Sequence, residues 1–183
     1  MIASVVVAML AIASILGGAW CLSTRRRAGL LLVNLPKELR GARLLYAEQL
    51  FTAKSRPSIS ARVDRAYRLR SGVVVLLELE TRKIDRPYLS DAIELSAQRV
   101  ALELQTGEAV ADHAFVAVKR HGGNALRFHR VRLMPITDVI ELAARRDAII
   151  AGRLAPGHTR SAGVCRRCAF ASCCEHRLII DAN

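Results

Sequence analysis

The sequence predicts a small α/β domain, a mixed sheet with flanking helices, preceded by one transmembrane helix. Three observations lead to this prediction. An uncharged apolar stretch occupies the N-terminal region, β-branched runs punctuated by turn residues follow, and a Gly- and Pro-free stretch over 88–106 has helical spacing of apolar residues. The element order β-β-β-α-β-β-α is typical of an α/β domain. A chain of 183 residues has room for one such domain and little more.

The charge of the chain is strongly basic and unevenly distributed. Lys and Arg number 28 against 16 Asp and Glu, a net charge of +12, and residues 1–24 contain none of these. The 52% hydrophobic content excludes collagen-like, mucin-like and disordered chains. An aromatic content of only 4% argues against a single-strand binder that stacks bases on aromatic rings. The basic excess predicts a polyanionic partner, either nucleic acid or an anionic lipid surface.

The apolar stretch over residues 2–22 has the length of a membrane span. Its 21 uncharged residues would extend about 30 Å as a helix. Three arginines follow directly, Arg25, Arg26 and Arg27, whereas no positive charge precedes the stretch as a secretory signal peptide requires. We therefore expect a single-pass anchor in the cell membrane, with the N-terminus outside and the soluble domain in the cytoplasm.

The first half of the soluble part predicts a β-hairpin. Residues 37–54 form a helix or an extended stretch. Alternating apolar residues predict a strand over 59–70, the Ser71-Gly72 pair predicts a turn, and a β-branched run predicts a second strand over 73–80.

The second half adds two helices and two strands. A helix over 88–106 ends at Gly107, and a later helix has Thr137 as its N-cap. The predicted elements are a helix at 88–106, strands at 114–119 and 126–133, a helix at 137–152, and a linker at 156–163. The predicted segments are an anchor at 1–24, a basic juxtamembrane linker at 25–44, a domain at 45–160, and a cysteine-containing segment at 161–183.

Three carboxylates converge on the predicted hairpin. Asp64 lies in its first strand, and Glu78 and Glu80 lie two residues apart in its second strand, so they share one face. Buried acids beside the apolar run require a compensating cation or donor, and a hard divalent ion with oxygen ligands is one solution. The alternative is a half-exposed strand whose glutamates face solvent.

The residues ISARVD, a turn, VVVLLELETRK and IELSAQRVALELQTG resemble the PD-(D/E)XK nuclease superfamily. The resemblance covers residues 45–175 and is greatest to its RecB-like branch, including the CRISPR-associated single-domain exonucleases with a C-terminal Cys cluster. Asp64 matches the first acid and Glu78 the second. Four signature positions differ: Ala61 stands at a Gly position, Glu80 at a Lys position, Glu94 at a Gln position and Gln98 at a Tyr position.

The resemblance implies a restriction-endonuclease-like fold and a metal-dependent DNA exonuclease at the membrane. Asp64 and Glu78 would hold Mg²⁺ or Mn²⁺, and Glu80 would act as a general base in place of Lys. Glu80 cannot supply positive charge, but Arg82 and Lys83 are close in sequence and could. The alternative is a degenerate nuclease fold that binds DNA or a protein partner without catalysis. A third hypothesis is a structural membrane subunit whose basic face meets anionic lipid. No small-molecule substrate is implied.

The C-terminal cysteines predict a metal centre. Their pattern is Cys165-x2-Cys168-x4-Cys173-Cys174-x-His176, and four cysteines within ten residues are rarely present for packing alone. A local zinc site would use Cys165, Cys168, Cys173 or Cys174, and His176.

The same resemblance implies a different cofactor for this segment, a 4Fe–4S cluster. The related exonucleases have a C-x2-C-x5-C pattern, which Cys165, Cys168 and Cys174 match, and a fourth Cys before the nuclease core. Cys21 is the one upstream cysteine in this chain. The other histidines receive no role: His113, His121, His129 and His158.

Overall fold

The computed structural model describes residues 35–123, 125–159 and 161–174. The predicted anchor at 2–22, the arginines that follow it, Cys21 and His176 lie outside these residues. Within the described ranges, no helix combines the length and apolar character that a membrane crossing requires. The residues group into two compact units that divide between Ile140 and Glu141.

The first unit is built on a five-stranded mixed sheet. Its elements are a 3₁₀ turn at Lys37–Leu39, then β1 (Arg43–Ala53), β2 (Ile59–Arg68), β3 (Val74–Arg82), α1 (Leu89–Thr106), β4 (His113–Arg120) and β5 (Leu126–Arg132). The strands lie in the order β1-β2-β3-β4-β5. Among the described strands, the β3–β4 pair alone is parallel, because α1 forms the crossover between these two strands, and the other pairs are antiparallel.

The sheet is covered on both faces at its centre. Helix α1 packs against β1, β2 and β3 on one face. On the opposite face, Leu39 of the 3₁₀ turn and Leu35 just before it join a buried cluster with Leu77 and Phe115. The first five residues of β3, Val74 to Glu78, are consecutively buried, as expected for a central strand between two layers.

Local signals explain where α1 begins and ends. The carboxylate of Asp91 accepts a hydrogen bond of 2.8 Å from the backbone N–H of Tyr88, which satisfies one donor before the first turn. At the other end Gly107 takes the left-handed conformation, with φ of 74°, and its N–H donates to the Glu103 carbonyl.

The predicted hairpin, both later strands and the first helix are confirmed, and residues 37–54 contain the extended alternative, β1. The predicted N-cap at Thr137 is wrong. Helix α2 spans Ile136–Ile150 and crosses the boundary between the units. The Pro135 carbonyl accepts the N–H groups of Asp138 and Val139, so Thr137 is already inside the first turn. In the second unit, a short helix α3 spans Ala162–Arg166.

Candidate active site

The site forms where β2 and β3 separate. Their antiparallel pairing runs from Arg68–Val74 to Arg65–Leu77 and stops there, while β3 continues beside β4. At the point of separation, Oδ2 of Asp64 accepts a 3.0 Å hydrogen bond from the backbone N–H of Leu79. The Asp64 carboxylate thus accepts the hydrogen bond that a backbone carbonyl of β2 would accept if the β2–β3 pairing continued. This contact holds Asp64 beside Glu78.

Glu78 is the buried member of the site. It is 7% exposed, and its Oε2 accepts a 2.7 Å hydrogen bond from Nε2 of Gln98 on α1. Burial raises the pKa of the Glu78 carboxyl to about 8, and the negative charges of Asp64 and Glu94 add to this effect. The hydrogen bond from Gln98 opposes it by stabilising the ionised form. Glu78 is therefore protonated near neutral pH when nothing else compensates its charge.

Glu94 brings a fourth carboxylate from the facing helix. Partial burial raises the pKa of Glu94, and the charges of Glu80, Asp64 and Asp91 raise it further. The two glutamates of β3 therefore both project toward α1, as the alternation predicts. We refer to Asp64, Glu78, Glu80 and Glu94 as the carboxylate cluster.

Arg82 is the cation paired with this group. Its guanidinium contacts Asp91 through two 3.0 Å hydrogen bonds and Glu80 at 3.1 Å, and its side chain is only 12% exposed. The ring of Tyr88 lies 4.6 Å away. Asp91 is the largest cause of the raised pKa of Arg82. Arg82 thus neutralises and orients neighbouring carboxylates, whereas Lys83 is exposed.

The local charge balance is negative. The five carboxyl groups of the cluster and Asp91 affect one another electrostatically, and Arg82 contacts two of them, Glu80 and Asp91. Among residues 35–123, 125–159 and 161–174, no three His, Cys, Asp or Glu side chains are arranged as a metal-binding group. The Asp64 carboxylate is bonded to Leu79 and the Glu78 carboxyl to Gln98. The amide oxygen of Gln98 is buried and has no hydrogen-bond partner among the described residues.

The sequence alone does not indicate a second polar group on the same sheet. Asp85, which follows β3, contacts Nε2 of His129 at 2.8 Å through Oδ1 and Nε of Arg127 at 3.1 Å through Oδ2. His129 and Arg127 are two residues apart on β5. Only the pairing of β5 with β4 brings them near the loop after β3, so local sequence patterns could not have singled them out.

The described cysteines lie in the second unit. Cys165, in α3, is buried, whereas Cys168, Cys173 and Cys174 are exposed, and all four are free thiols. The N–H of Cys168 donates to the Cys165 carbonyl at 3.2 Å, which keeps this pair within one turn of the chain. The zinc alternative depends on His176, which is not among the described residues.

Comparisons with known proteins give a fold relationship. No family model matches the chain, and no curated protein sequence matches it. The crystal structure of SSO0001 is similar with a TM-score of 0.50 and 18% identity, covering 93% of this chain and 77% of that one. A protein from Eubacterium rectale described as a candidate exonuclease has a TM-score of 0.48 and 14% identity, covering 80% of this chain and 56% of that one. The first comparison shows a shared fold.

Proposed function

We propose that this protein is a metal-dependent nuclease that hydrolyses phosphodiester bonds in DNA at the cytoplasmic face of the cell membrane. The observation that carries the proposal is the carboxylate cluster, in which Glu78 is buried beside Asp64 with its pKa raised to about 8. Such an arrangement is costly unless a cation compensates it. The N-terminal apolar segment would supply the anchor.

The donor chemistry fits a hard divalent ion. Mg²⁺ and Mn²⁺ prefer carboxylate oxygens, and Asp64 and Glu78 provide them from adjacent strands. Gln98 is bonded to Glu78 through Nε2, and its amide oxygen, which has no hydrogen-bond partner among the described residues, offers a further acceptor to a water or ion. We propose Asp64 and Glu78 as the metal-holding residues. A bound ion would polarise the phosphate and lower the pKa of an attacking water.

Three further residues would act as the general base, orient that base and favour cation binding. Glu80 lies two residues beyond Glu78, and its side chain is 32% exposed, so it can reach a water and accept its proton. Arg82 would hold Glu80 in a fixed orientation through their 3.1 Å contact. Glu94 would keep the local field negative and so favour binding of a cation.

A polyanionic substrate is supported by the charge of the chain. The net charge is +12 although the cluster itself is acidic, so the basic residues lie elsewhere on the surface. Arg127 is one of them, with a side chain that is 74% exposed beside Asp85. Phosphate contacts from such residues position a nucleic acid without reading its sequence.

A second candidate is a nuclease fold that binds DNA or a protein partner without catalysis. One observation favours it. The guanidinium of Arg82 is the positive charge closest in sequence to the position where PD-(D/E)XK nucleases carry Lys, and it is already bound by Glu80 and Asp91. A cation bound by two carboxylates has little capacity left to stabilise charge on a phosphate in the transition state.

The cysteine segment would hold a structural metal centre. We propose that Cys165, Cys168 and Cys174 ligate a 4Fe–4S cluster. The alternative is a zinc ion held by Cys165, Cys168, Cys173 or Cys174, and His176. Thiolates suit both cofactors. Either centre would constrain a segment whose longest described helix has five residues.

The experiment uses the full chain in detergent micelles with Mn²⁺ and end-labelled single- and double-stranded DNA. We expect Mn²⁺-dependent degradation that Glu78→Gln abolishes and that Glu141→Gln leaves intact, because Glu141 is exposed on α2. DNA binding by all three proteins is measured in parallel. Binding without degradation by the wild type would establish the second candidate, and neither binding nor degradation would remove both.

A further inference from the structure

Asp85, His129 and Arg127 form a polar group that the proposed function does not use. Asp85 bridges the other two residues, with one carboxylate oxygen on His129 at 2.8 Å and the other on Arg127 at 3.1 Å. The side chains of Asp85 and His129 are 16% and 27% exposed, so the pair is sheltered but accessible. We call these three residues the Asp85 group.

His129 of the Asp85 group lies in the same row of the sheet as Glu78. Val116 of β4 is the register partner of Glu78 on one side and of His129 on the other. Directly opposed residues project from the same face, so His129 and Glu78 point to one side. Neighbouring strands are about 4.8 Å apart, which places the two Cα atoms about 10 Å from each other. Val116, which lies between them, is fully buried, so a phosphodiester would meet both residues at the outer ends of their side chains.

The imidazole of His129 is oriented by its contact with Asp85. Because Nε2 faces the carboxylate, Nδ1 is the ring nitrogen that remains to meet a ligand. An acid that orients the imidazole and stabilises its protonated form is a recurrent arrangement for proton transfer. Arg127 extends the group into solvent, where an exposed guanidinium can contact a neighbouring phosphate.

We propose that His129 is the general acid of the reaction, the group that protonates the leaving oxygen. This inference rests on the proposed function. In the step, the oxygen of a water forms a bond to phosphorus and gives its proton to Glu80. The bond from phosphorus to the bridging oxygen breaks, and that oxygen takes the proton from Nδ1 of the imidazolium. Neutral His129 then recovers a proton from solvent, and Glu80 returns its proton to solvent. Asp85 is a positioning residue.

The test compares two DNA substrates that differ only in the leaving atom. One has ordinary phosphodiesters, and the other has a bridging phosphorothiolate, in which sulfur replaces the oxygen that leaves. A thiolate leaves without being protonated, so a general acid matters only for the first substrate. The full chain in micelles is compared with His129→Gln, Asp85→Asn and the matched control His121→Gln, a substitution in the exposed turn after β4. Thermal melting checks that each variant is folded.

We expect His129→Gln to slow cleavage of the oxygen substrate by about 10²-fold or more and to leave cleavage of the sulfur substrate near the wild-type rate. Asp85→Asn should show a smaller loss with the same selectivity, and His121→Gln none. Equal losses on both substrates, or no loss on either, would overturn the assignment of His129 while leaving the proposed function in place. A wild-type protein that is inactive on both substrates would exclude both the assignment of His129 and the proposed function.

Discussion

Gln98 donates a 2.7 Å hydrogen bond from α1 to the buried carboxyl of Glu78 on β3, and this contact links the helix to the carboxylate cluster. Gln98 is 1% exposed, and its amide oxygen has no partner among the described residues. The Gln98 donor lowers the pKa of Glu78 against the larger effect of burial. Gln98 thus stabilises the ionised form of Glu78 without adding a charge of its own.

Replacing Gln98 tests this relationship. Gln98→Leu removes the donor at similar volume, so the pKa of Glu78 should rise further and Mn²⁺ affinity near neutral pH should fall by about tenfold, the equivalent of one lost hydrogen bond to a charged group. Titration calorimetry of Mn²⁺ checks the result. Because deprotonation limits binding, affinity should recover in alkaline buffer. Equal affinity in both proteins would show that the Gln98 contact is irrelevant to the cation.

The raised pKa of Glu78 predicts a particular dependence of stability on pH. The folded protein holds the Glu78 proton up to about pH 8, whereas an unperturbed Glu releases it near 4.5. Between these values the folded state binds more protons than the unfolded chain, so this group makes the metal-free protein less stable as pH rises. This loss of stability is complete above about pH 8, and it is absent below about pH 4.5.

Thermal melting of metal-free protein across this range checks the prediction. Glu78→Gln cannot titrate and should reduce the total fall in Tm by about 10 °C or more, because one pKa unit is worth about 1.4 kcal/mol and about 1 kcal/mol shifts Tm by about 2–4 °C in a chain of this size. Glu141→Gln serves as the control and should keep the wild-type slope. A slope unchanged by Glu78→Gln would place the ionisation elsewhere.

Substitutions of Glu80 and Glu78 should have different effects on Mn²⁺ binding and DNA hydrolysis. Glu80→Gln removes the proposed base but neither proposed metal-holding residue, so DNA hydrolysis should drop by about 10²-fold or more with Mn²⁺ affinity retained. Glu78→Gln should lose both properties. Turnover and calorimetric titration on the same preparations make the comparison. Loss of Mn²⁺ affinity in Glu80→Gln would instead make Glu80 a ligand.

Metal analysis should distinguish the two proposals for the cysteine segment. Anaerobically purified full chain should be brown and contain iron if the centre is 4Fe–4S, and Cys168→Ser should remove the colour and lower Tm. Colourless protein with one zinc per chain, released by His176→Ala, would favour the zinc alternative. Protein with neither metal and unchanged melting in Cys168→Ser would exclude a metal centre.

The hairpin and its acids could be predicted because their signals are local. Ser71-Gly72 forms a turn between two strands, and period-two alternation places Glu78 and Glu80 on one face. The partners of Arg82 could not be predicted, because Asp91 reaches it from the start of α1. His129 joins Asp85 only through the β4–β5 register. Such contacts depend on strand order, which no short segment encodes.

The central claim is that the carboxylate cluster exchanges a proton for a divalent cation, and calorimetric titration of Mn²⁺ in buffers of different ionisation enthalpy tests it directly. With the pKa of Glu78 raised to about 8, binding near pH 7 should release close to one proton per ion, and binding near pH 9 almost none. The Glu78→Gln variant should not bind Mn²⁺ and should release no proton. Mn²⁺ binding without proton release near neutral pH, or undiminished binding by Glu78→Gln, would contradict the account.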